Sequence, residues 1–138
     1  DENNEMKTTI QEFVKEKTEQ LKKAVIADKE IINGISVFKL TESDISSDMV
    51  KDIAFQLKGQ FPEKMFFVAG TSLNGKANIV VMLSDDLVKK GLHAGNLVRQ
   101  AAKFIEGGGG GQPHFATAGG KNIDGLASAV EWILKNLE

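Results

Sequence analysis

Apolar residues recur at helical spacing in four segments of the chain, and each segment predicts a helix. The first runs from residue 5 to about residue 28, contains no glycine or proline, and carries an intermittent apolar stripe: Met6, Ile10, Phe13, Val14, Leu21, Ala24 and Val25. The others are SDISSDMVKDIAFQLKGQF, AGNLVRQAAKFIEG and NIDGLASAVEWILKNLE. In the second helix, Ser46 or Ser47 is the expected N-cap and Gly59 the expected stop before Pro62.

Shorter apolar runs predict four strands, which are ISVFKL, KMFFVAGTS, ANIVVMLS and HFATA. The second and third runs are almost continuously apolar, as expected of central strands that are covered on both faces. Asn74-Gly75 lies between them and predicts a tight hairpin. The order of elements predicts an α/β (α+β) fold with a mixed, about four-stranded sheet packed by helices. An N-terminal helix would protrude from it, which divides the chain into residues 1–30 and a globular domain over 31–138.

The apolar stripe of the first helix needs a partner surface. Packing on its own domain, continuation of an upstream coiled coil and docking on a second copy of the same helix would each satisfy it. The last alternative predicts a homodimer formed through this helix, with residues 1–30 as a linker or dimerisation segment. The chain begins with Asp1 rather than methionine, which predicts a piece cut from a longer polypeptide.

Composition narrows the class of protein. At 138 residues with 41% apolar and 26% charged residues, the chain is expected to form an ordinary folded domain. It has no cysteine and two histidines, so a self-contained metal site is not expected. No apolar run reaches the roughly 20 residues that cross a bilayer, and the charged start DENNEMK does not resemble a secretory signal. These features predict a cytoplasmic protein without a membrane partner.

The net charge of −2 argues against a nucleic-acid partner, but the charges are unevenly distributed. Between Lys76 and Lys103 there are five basic residues and two acidic ones, Asp85 and Asp86. For any single lysine a solvated surface charge is the simpler interpretation, so the hypothesis concerns a local cationic face. The basic residues that would form it are Lys76, Lys89, Lys90, His93, Arg99, Lys103, His114 and Lys121.

The segment FIEGGGGGQPHFATAGGKN, residues 104–122, holds five consecutive glycines and a second pair. A flexible linker fits poorly, because too few residues follow it to form another core. A nucleotide-binding loop also fits poorly, because the segment lacks the Gly-Lys-Ser/Thr ending and follows a helix rather than a strand. The remaining interpretation is a loop whose backbone passes close to a neighbouring helix or to a bound polyanion. Gly119-Gly120 would then lead into the last helix, whose N-terminus would bind the same anion.

The glycine segment resembles the C-terminal, DHH-associated domain of alanyl-tRNA synthetases. The resemblance rests on a glycine run, a proline and spaced alanines, which in this chain are Gly107, Gly108, Gly109, Gly110, Gly111, Pro113, Ala116, Ala118, Gly119 and Gly120. Upstream, GKANIVVMLSDDLVKKGLHAGNLVRQAAKFI is similar to the family in its Gly-Lys turn, apolar strand, short connection and helix. The resemblance covers roughly residues 31–138. Gln112 stands where related phosphoesterases have a histidine, which disfavours a hydrolase.

The resemblance implies a tRNA-binding accessory domain rather than a catalytic one. In the family this domain contacts the outer corner of the tRNA, which here would be alanine tRNA, and links aminoacylation with editing; some members also dimerise through it. The ATP, magnesium and zinc that the family uses belong to upstream domains, so no cofactor and no catalytic residue is expected in this chain. The basic residues named above, the glycine segment and Gln112 are the candidate binding positions.

Three residues near the glycines also have structural interpretations. Arg99 lies within a predicted helix and would pair equally well with Asp85 or Glu106. His114 would serve to cap the loop instead of contacting RNA. Phe115 is expected in the core rather than as a stacking platform for an exposed base.

Overall fold

The computed structural model describes residues 19–135 apart from residues 33, 44, 46 and 74. Several sequence predictions therefore fall outside the described residues. They are the N-terminal part of the first helix with Met6, Ile10, Phe13 and Val14, the N-cap at Ser46, the hairpin residue Asn74 and the end of the last helix at Leu137. Within the described part of the chain, no helix combines the length and the apolar character that a bilayer crossing requires.

The strands form a single mixed sheet in the order β1-β2-β3-β4-β6-β5. Strands β2 and β3 are parallel, and the other neighbouring strands are antiparallel. The bounds are β1 Glu30–Ile32, β2 Ile35–Ser43, β3 Met65–Leu73, β4 Lys76–Leu83, β5 Gly107–Gly111 and β6 Phe115–Gly120. The predicted mixed sheet is confirmed, and so is the hairpin between β3 and β4, where Gly75 has a φ of 79°.

Helices flank the sheet on both sides. Their bounds are α1 at residues 19–27, α2 Ser47–Gln60, α3 Asp85–Lys89, α4 Ala94–Ala101 and α5 Leu126–Lys135. A 3-10 turn, Ala102–Ile105, extends α4 up to the glycines, and another, Ile123–Gly125, precedes α5. The predicted stop at Gly59 is wrong, because α2 continues through Gln60. The segment expected to be a simple connection contains the short helix α3.

A core lies on each face of the sheet. Helices α4 and α5 pack on one face over Val68 and Ile79, and α1 and α2 pack on the other over Phe38 and Phe67. Successive side chains of a strand point to opposite faces, so β3 contributes to both cores. Neighbouring Phe66 and Phe67 are both fully buried for this reason. The prediction that the two apolar strands are covered on both faces is confirmed.

In the described part of the chain the sheet has six strands, where the sequence pattern predicted about four. The two extra strands are β1 and β5, which form its two edges. Strand β1 is three residues long, too short to show an alternating pattern. Strand β5 consists of five glycines and has no side chains to form a pattern. Pairing with a neighbouring strand makes each of them a strand, and this pairing is invisible in a local stretch of sequence.

The described part of the first helix packs on its own domain. Val25 is 2% exposed and lies in the same core cluster as Phe38 and Leu40. Leu21 and Ile26 are half-buried against that cluster. Of the partner surfaces considered for the apolar stripe, the chain's own sheet therefore accounts for residues 19–27.

Candidate nucleic-acid interface

The glycine run is an edge strand rather than a loop, which corrects the sequence expectation. Among the described residues, strand β5 pairs with β6 alone, in a register that places Gly109 opposite Ala118. Gly110 is half-buried and the other four glycines are exposed. An edge strand has one row of N–H and C=O groups that no neighbouring strand uses. Because β5 also lacks side chains, another molecule can approach that backbone closely.

The close approach of β5 to β6 requires three of these five glycines, which are Gly107, Gly109 and Gly111. A Cβ atom at Gly109 would lie 2.4 Å from the Ala118 Cβ, and one at Gly111, where φ is 156°, would lie 2.8 Å from the Ala116 Cα. At Gly108 a Cβ would meet nothing within 4 Å. The buried Ala116 and Ala118 explain the spaced alanines of the sequence, since larger side chains would have to share that narrow space.

Helix α4 packs closely against β5. A Cβ at Gly95 would lie 2.8 Å from the Gly111 carbonyl oxygen, so glycine at that helical position permits the contact. The Arg99 Nη2 lies 3.7 Å from the Cβ position of Gly110. The glycine run thus passes close to a neighbouring helix, one of the two surfaces that the sequence suggested, and Arg99 lies close to Gly110.

The hairpin between β5 and β6 is anchored by its main chain. The Gln112 N–H donates to the Phe115 oxygen (2.9 Å), and the Pro113 oxygen accepts from the Ala94 N–H (2.8 Å). The His114 oxygen accepts from the Leu83 N–H (2.8 Å), so this residue holds the loop through its backbone. These bonds fix the hairpin tip against β4 and the start of α4.

His93 has a structural role that the sequence analysis missed. Its Nδ1 accepts a hydrogen bond from the Asn96 N–H at 3.1 Å, so it is the N-cap of α4. The position of His93 directly before the helical segment that starts at Ala94 could have predicted this capping role. The capping hydrogen bond involves the Nδ1 atom of His93 and does not involve the Nε2 atom of the same ring.

The candidate basic residues surround β5 but do not form one compact cluster. Lys76 and Lys121 lie at the end of the sheet where Gly107 begins β5, because Ala77 and Gly120 are opposite each other in the register. The other end holds the hairpin tip with four candidates: Lys89, Lys90, His93 and His114. Arg99 and Lys103 lie between the two ends, along α4 and its 3-10 extension, where the Lys103 Nζ donates to the Gln100 Oε1 at 3.2 Å.

The acidic residues of this region are engaged with other groups. Asp85 pairs with Lys58 at 3.6 Å, and within the described residues Arg99 forms no ion pair with Asp85 or Glu106, the two alternatives that its helical position offered. Asp86 accepts from the Lys64 N–H (2.9 and 3.1 Å) and from the Ser84 hydroxyl. Burial acts to raise the pKa of Asp86, but these hydrogen bonds outweigh it and hold the pKa below its ordinary value.

The second glycine pair does not open a helix. Gly119 and Gly120 are the last residues of β6, and the 3-10 turn before α5 begins three positions later at Ile123. A Cβ at Gly120 would lie 2.2 Å from the Ile105 oxygen, so this glycine serves packing against the end of the α4 extension. The expectation that the glycine pair leads directly into the last helix is therefore wrong, whereas the convergence of the helix start and the glycine run on one anion stays a prediction.

Phe115 lies at the boundary of the core rather than inside it. It is half-buried, and its ring centroid is 5.3 Å from that of Phe55, which is 55% exposed on α2. Phe55 could not be recognised from the sequence pattern, because an apolar residue at helical spacing is normally counted toward the core.

Comparison with known proteins identifies the family. Residues 33–138 match the DHHA1 domain. The chain belongs to the DHHA1 domain family. An alanine-tRNA ligase of Bacteroides thetaiotaomicron is 52% identical over 135 residues, which are 98% of this chain and 15% of that relative. One from Bacteroides fragilis is 53% identical with the same coverage of both chains. The chain thus spans 15% of the length of these relatives.

Solved structures show the same fold. The C-Ala domain of alanyl-tRNA synthetase from Aquifex aeolicus aligns with a TM-score of 0.72 and 23% identity, covering 80% of this chain and 97% of that one. A DHH-domain protein described as a member of the s1p family of ribosomal proteins aligns with a TM-score of 0.59 and 20% identity, covering 94% of this chain and 32% of that one. The predicted resemblance to the C-terminal, DHH-associated domain of alanyl-tRNA synthetases is confirmed, and it supports an accessory domain of such a synthetase.

Proposed function

We propose that this DHHA1 domain binds alanine tRNA at its outer corner, as an accessory part of a cytoplasmic alanine-tRNA ligase, and thereby links aminoacylation with editing. The observation that carries the proposal is the exposed glycine strand β5 with basic residues at both of its ends and Arg99 along it. Among polyanions we choose tRNA as the ligand because the chain is similar to alanine-tRNA ligases.

The chemistry of this surface suits RNA that is recognised by shape. Phosphate and ribose contacts need cationic side chains and main-chain donors, and they require no base-reading code. Strand β5 offers main-chain groups without side chains in front of them. Asp85 and Asp86 lie near the lysines at the hairpin end, but one is paired with Lys58 and the other is held by hydrogen bonds. Their effect on a bound phosphate is reduced accordingly.

Charge reversal at the hairpin end tests the proposal. We expect the double variant Lys89→Glu/Lys90→Glu to bind folded tRNA more weakly, because both side chains are exposed and would face phosphates. The slope of log affinity against log salt should become shallower by about two, one for each lost phosphate contact. The measurement is a binding titration of the whole chain at several salt concentrations.

The matched control is Lys22→Glu/Lys23→Glu, two consecutive lysines on α1, which packs beside β2 near the edge of the sheet opposite β5. Equal weakening by both double variants would contradict a localised interface. The competing hypothesis from the sequence is a homodimerisation module without direct RNA contact. It predicts no effect of Lys89→Glu/Lys90→Glu on RNA, together with self-association in sedimentation velocity that the variant leaves unchanged.

A further inference from the structure

An exposed aromatic ring lies beside the glycine strand. Phe55 on α2 is 55% exposed, and its ring lies 5.3 Å from the Phe115 ring at an interplanar angle of 33°. A single exposed apolar side chain is common and requires no explanation. Phe55 differs because its ring continues an aromatic surface onto β6, the strand that pairs with β5.

The residues next to this ring pair are polar and are aligned with it. Lys51 is one helical turn before Phe55 on α2, so the two side chains share one side of the helix. Thr117 is two residues after Phe115 on β6, so these two share one face of the strand. Contact between the rings therefore places Lys51 opposite Thr117.

A cleft of about 330 Å³ lies between Lys51 and Thr117. Asn78 of β4 also lines it, as do Gly108, Gly109 and Gly119 at the β5–β6 edge. The cleft thus extends from α2 across the sheet to the glycine strand, and its volume lies in the range that small-molecule sites occupy.

The chemistry of this arrangement fits one nucleotide. A flat base stacks on an exposed aromatic ring without regard to its identity. The Lys51 ammonium attracts a phosphate, while the Asn78 amide and the Thr117 hydroxyl suit a ribose or a base edge. Helix α2 also carries two carboxylates near Lys51, which are Asp48 in its first turn and Asp52, and the Asp52 carboxylate accepts a hydrogen bond from the Gln56 amide at 3.1 Å. A hydrophobic peptide would leave the Lys51, Asn78 and Thr117 polar groups without partners, so the cleft favours RNA.

We propose that Phe55 and Phe115 stack an unpaired RNA base whose backbone lies along the cleft between Lys51 and Gly108. This inference rests on the proposed tRNA function and adds to it a defined contact for a base outside a helix. Phe55 is a binding residue in this proposal, Lys51 neutralises a phosphate, and the open glycines allow the backbone to approach.

The test measures the affinity of the whole chain for a short single-stranded RNA, for long duplex RNA in which unstacked bases are rare, and for folded tRNA. Phe55→Ala should weaken binding of the single strand roughly 5- to 150-fold, the loss of one base-aromatic stack, and leave duplex binding unchanged. Phe55→Trp should bind the single strand at least as well as the natural protein. Lys51→Ala should reduce the salt slope for the single strand by about one.

The matched control is Ile31→Ala, which removes an exposed apolar side chain from β1 at the opposite edge of the sheet. It should bind every RNA like the natural chain. Thermal melts of each variant show whether the fold is kept. If Phe55→Ala fails to fold, the single-strand affinity of Phe55→Trp still tests whether an aromatic ring at this position supports binding. A Phe55→Ala variant that is folded and binds the single strand normally, or loses single strand and duplex equally, overturns the proposal. A free mononucleotide that binds as tightly as the RNA also overturns it.

The outcomes separate this inference from the proposed function. If folded tRNA binds and Phe55→Ala changes neither tRNA nor single-strand affinity, the stacking site is wrong and the tRNA function stands. If single-stranded RNA binds through Phe55 while folded tRNA is not preferred over duplex, the stacking site stands and the tRNA function is wrong. Absence of binding to every RNA contradicts both.

Discussion

Strands β3 and β5 belong to the same sheet but are specified in opposite ways. Strand β3 is nine residues long, and side chains such as Phe66 and Phe67 bury it on both faces. Strand β5 is five glycines long and has no side chain to bury. The first is a strand because of its own residues. The second is a strand because Ala118 on β6 and Gly95 on α4 leave room for a bare backbone and nothing larger.

This difference separates stability from binding. Burial of apolar side chains provides most of the free energy that holds a sheet together, and β3 supplies it to both cores. Strand β5 adds little apolar burial, but it leaves its main chain accessible at the edge of the sheet. Changes in the two strands should therefore affect different properties, and their effects on stability should differ in size.

The largest effect on stability is expected from truncation in β3. Phe67→Ala removes a fully buried ring and should lower the free energy of unfolding by about 3–5 kcal/mol, through lost burial and the cavity that remains. Urea denaturation monitored by circular dichroism measures it. Ile31→Ala on the edge strand β1, where the side chain is 61% exposed, is the control and should stay within about 0.5 kcal/mol of the natural chain.

A smaller effect is expected from an added methyl group in β5. Gly109→Ala would place its Cβ 2.4 Å from the Ala118 Cβ, so the strands must separate, and the free energy of unfolding should fall by about 1–3 kcal/mol. The neighbouring Gly108→Ala meets nothing within 4 Å and should be close to neutral. Equal effects of the two substitutions in the same denaturation assay would show that β5 is not held in this register.

The smallest effect on stability concerns Asp86 and depends on pH. Its folded pKa lies below the ordinary 3.8, so the charged carboxylate stabilises the fold above that pH, and the contribution is lost as the pH falls through the folded pKa. Asp86→Asn should be slightly less stable than the natural chain at neutral pH and should lose less stability on acidification. The comparison is made by measuring the melting temperatures of the natural chain and of Asp86→Asn from neutral pH down to below the ordinary pKa of 3.8. Identical pH dependence of the two proteins would contradict the assigned hydrogen bonds.

The same contrast explains which parts of the fold the sequence could predict. Clear local sequence patterns predicted four features, and each is confirmed: strand β3, strand β4, the hairpin at Gly75 and the end of the α4 segment at the glycines. No local sequence pattern predicted strands β1 and β5, because they become strands only by pairing with a neighbouring strand. Gly59 was expected to end α2 because glycine often follows a helix, but the helix continues to Gln60.

For the candidate site, the glycine motif indicated the region on which the proposal rests, but it predicted a loop where the structure has a strand. The family resemblance located residues 107–120 without indicating that the first five form an edge strand. The capping role of His93 was readable from its position before α4. The approach of Phe55 and Lys51 to β6 was not readable, since it results from packing of α2 on the sheet rather than from any local pattern.

The most direct test of the central claim is the affinity of this chain for alanine tRNA, an unrelated tRNA and a duplex RNA of matched length, titrated over salt. We expect a preference for folded tRNA over duplex, with a log-log salt slope of about −3 or steeper, which corresponds to roughly four phosphate contacts. Absence of binding at low salt, or equal binding of all three RNAs, would contradict a tRNA-binding surface built around the glycine strand.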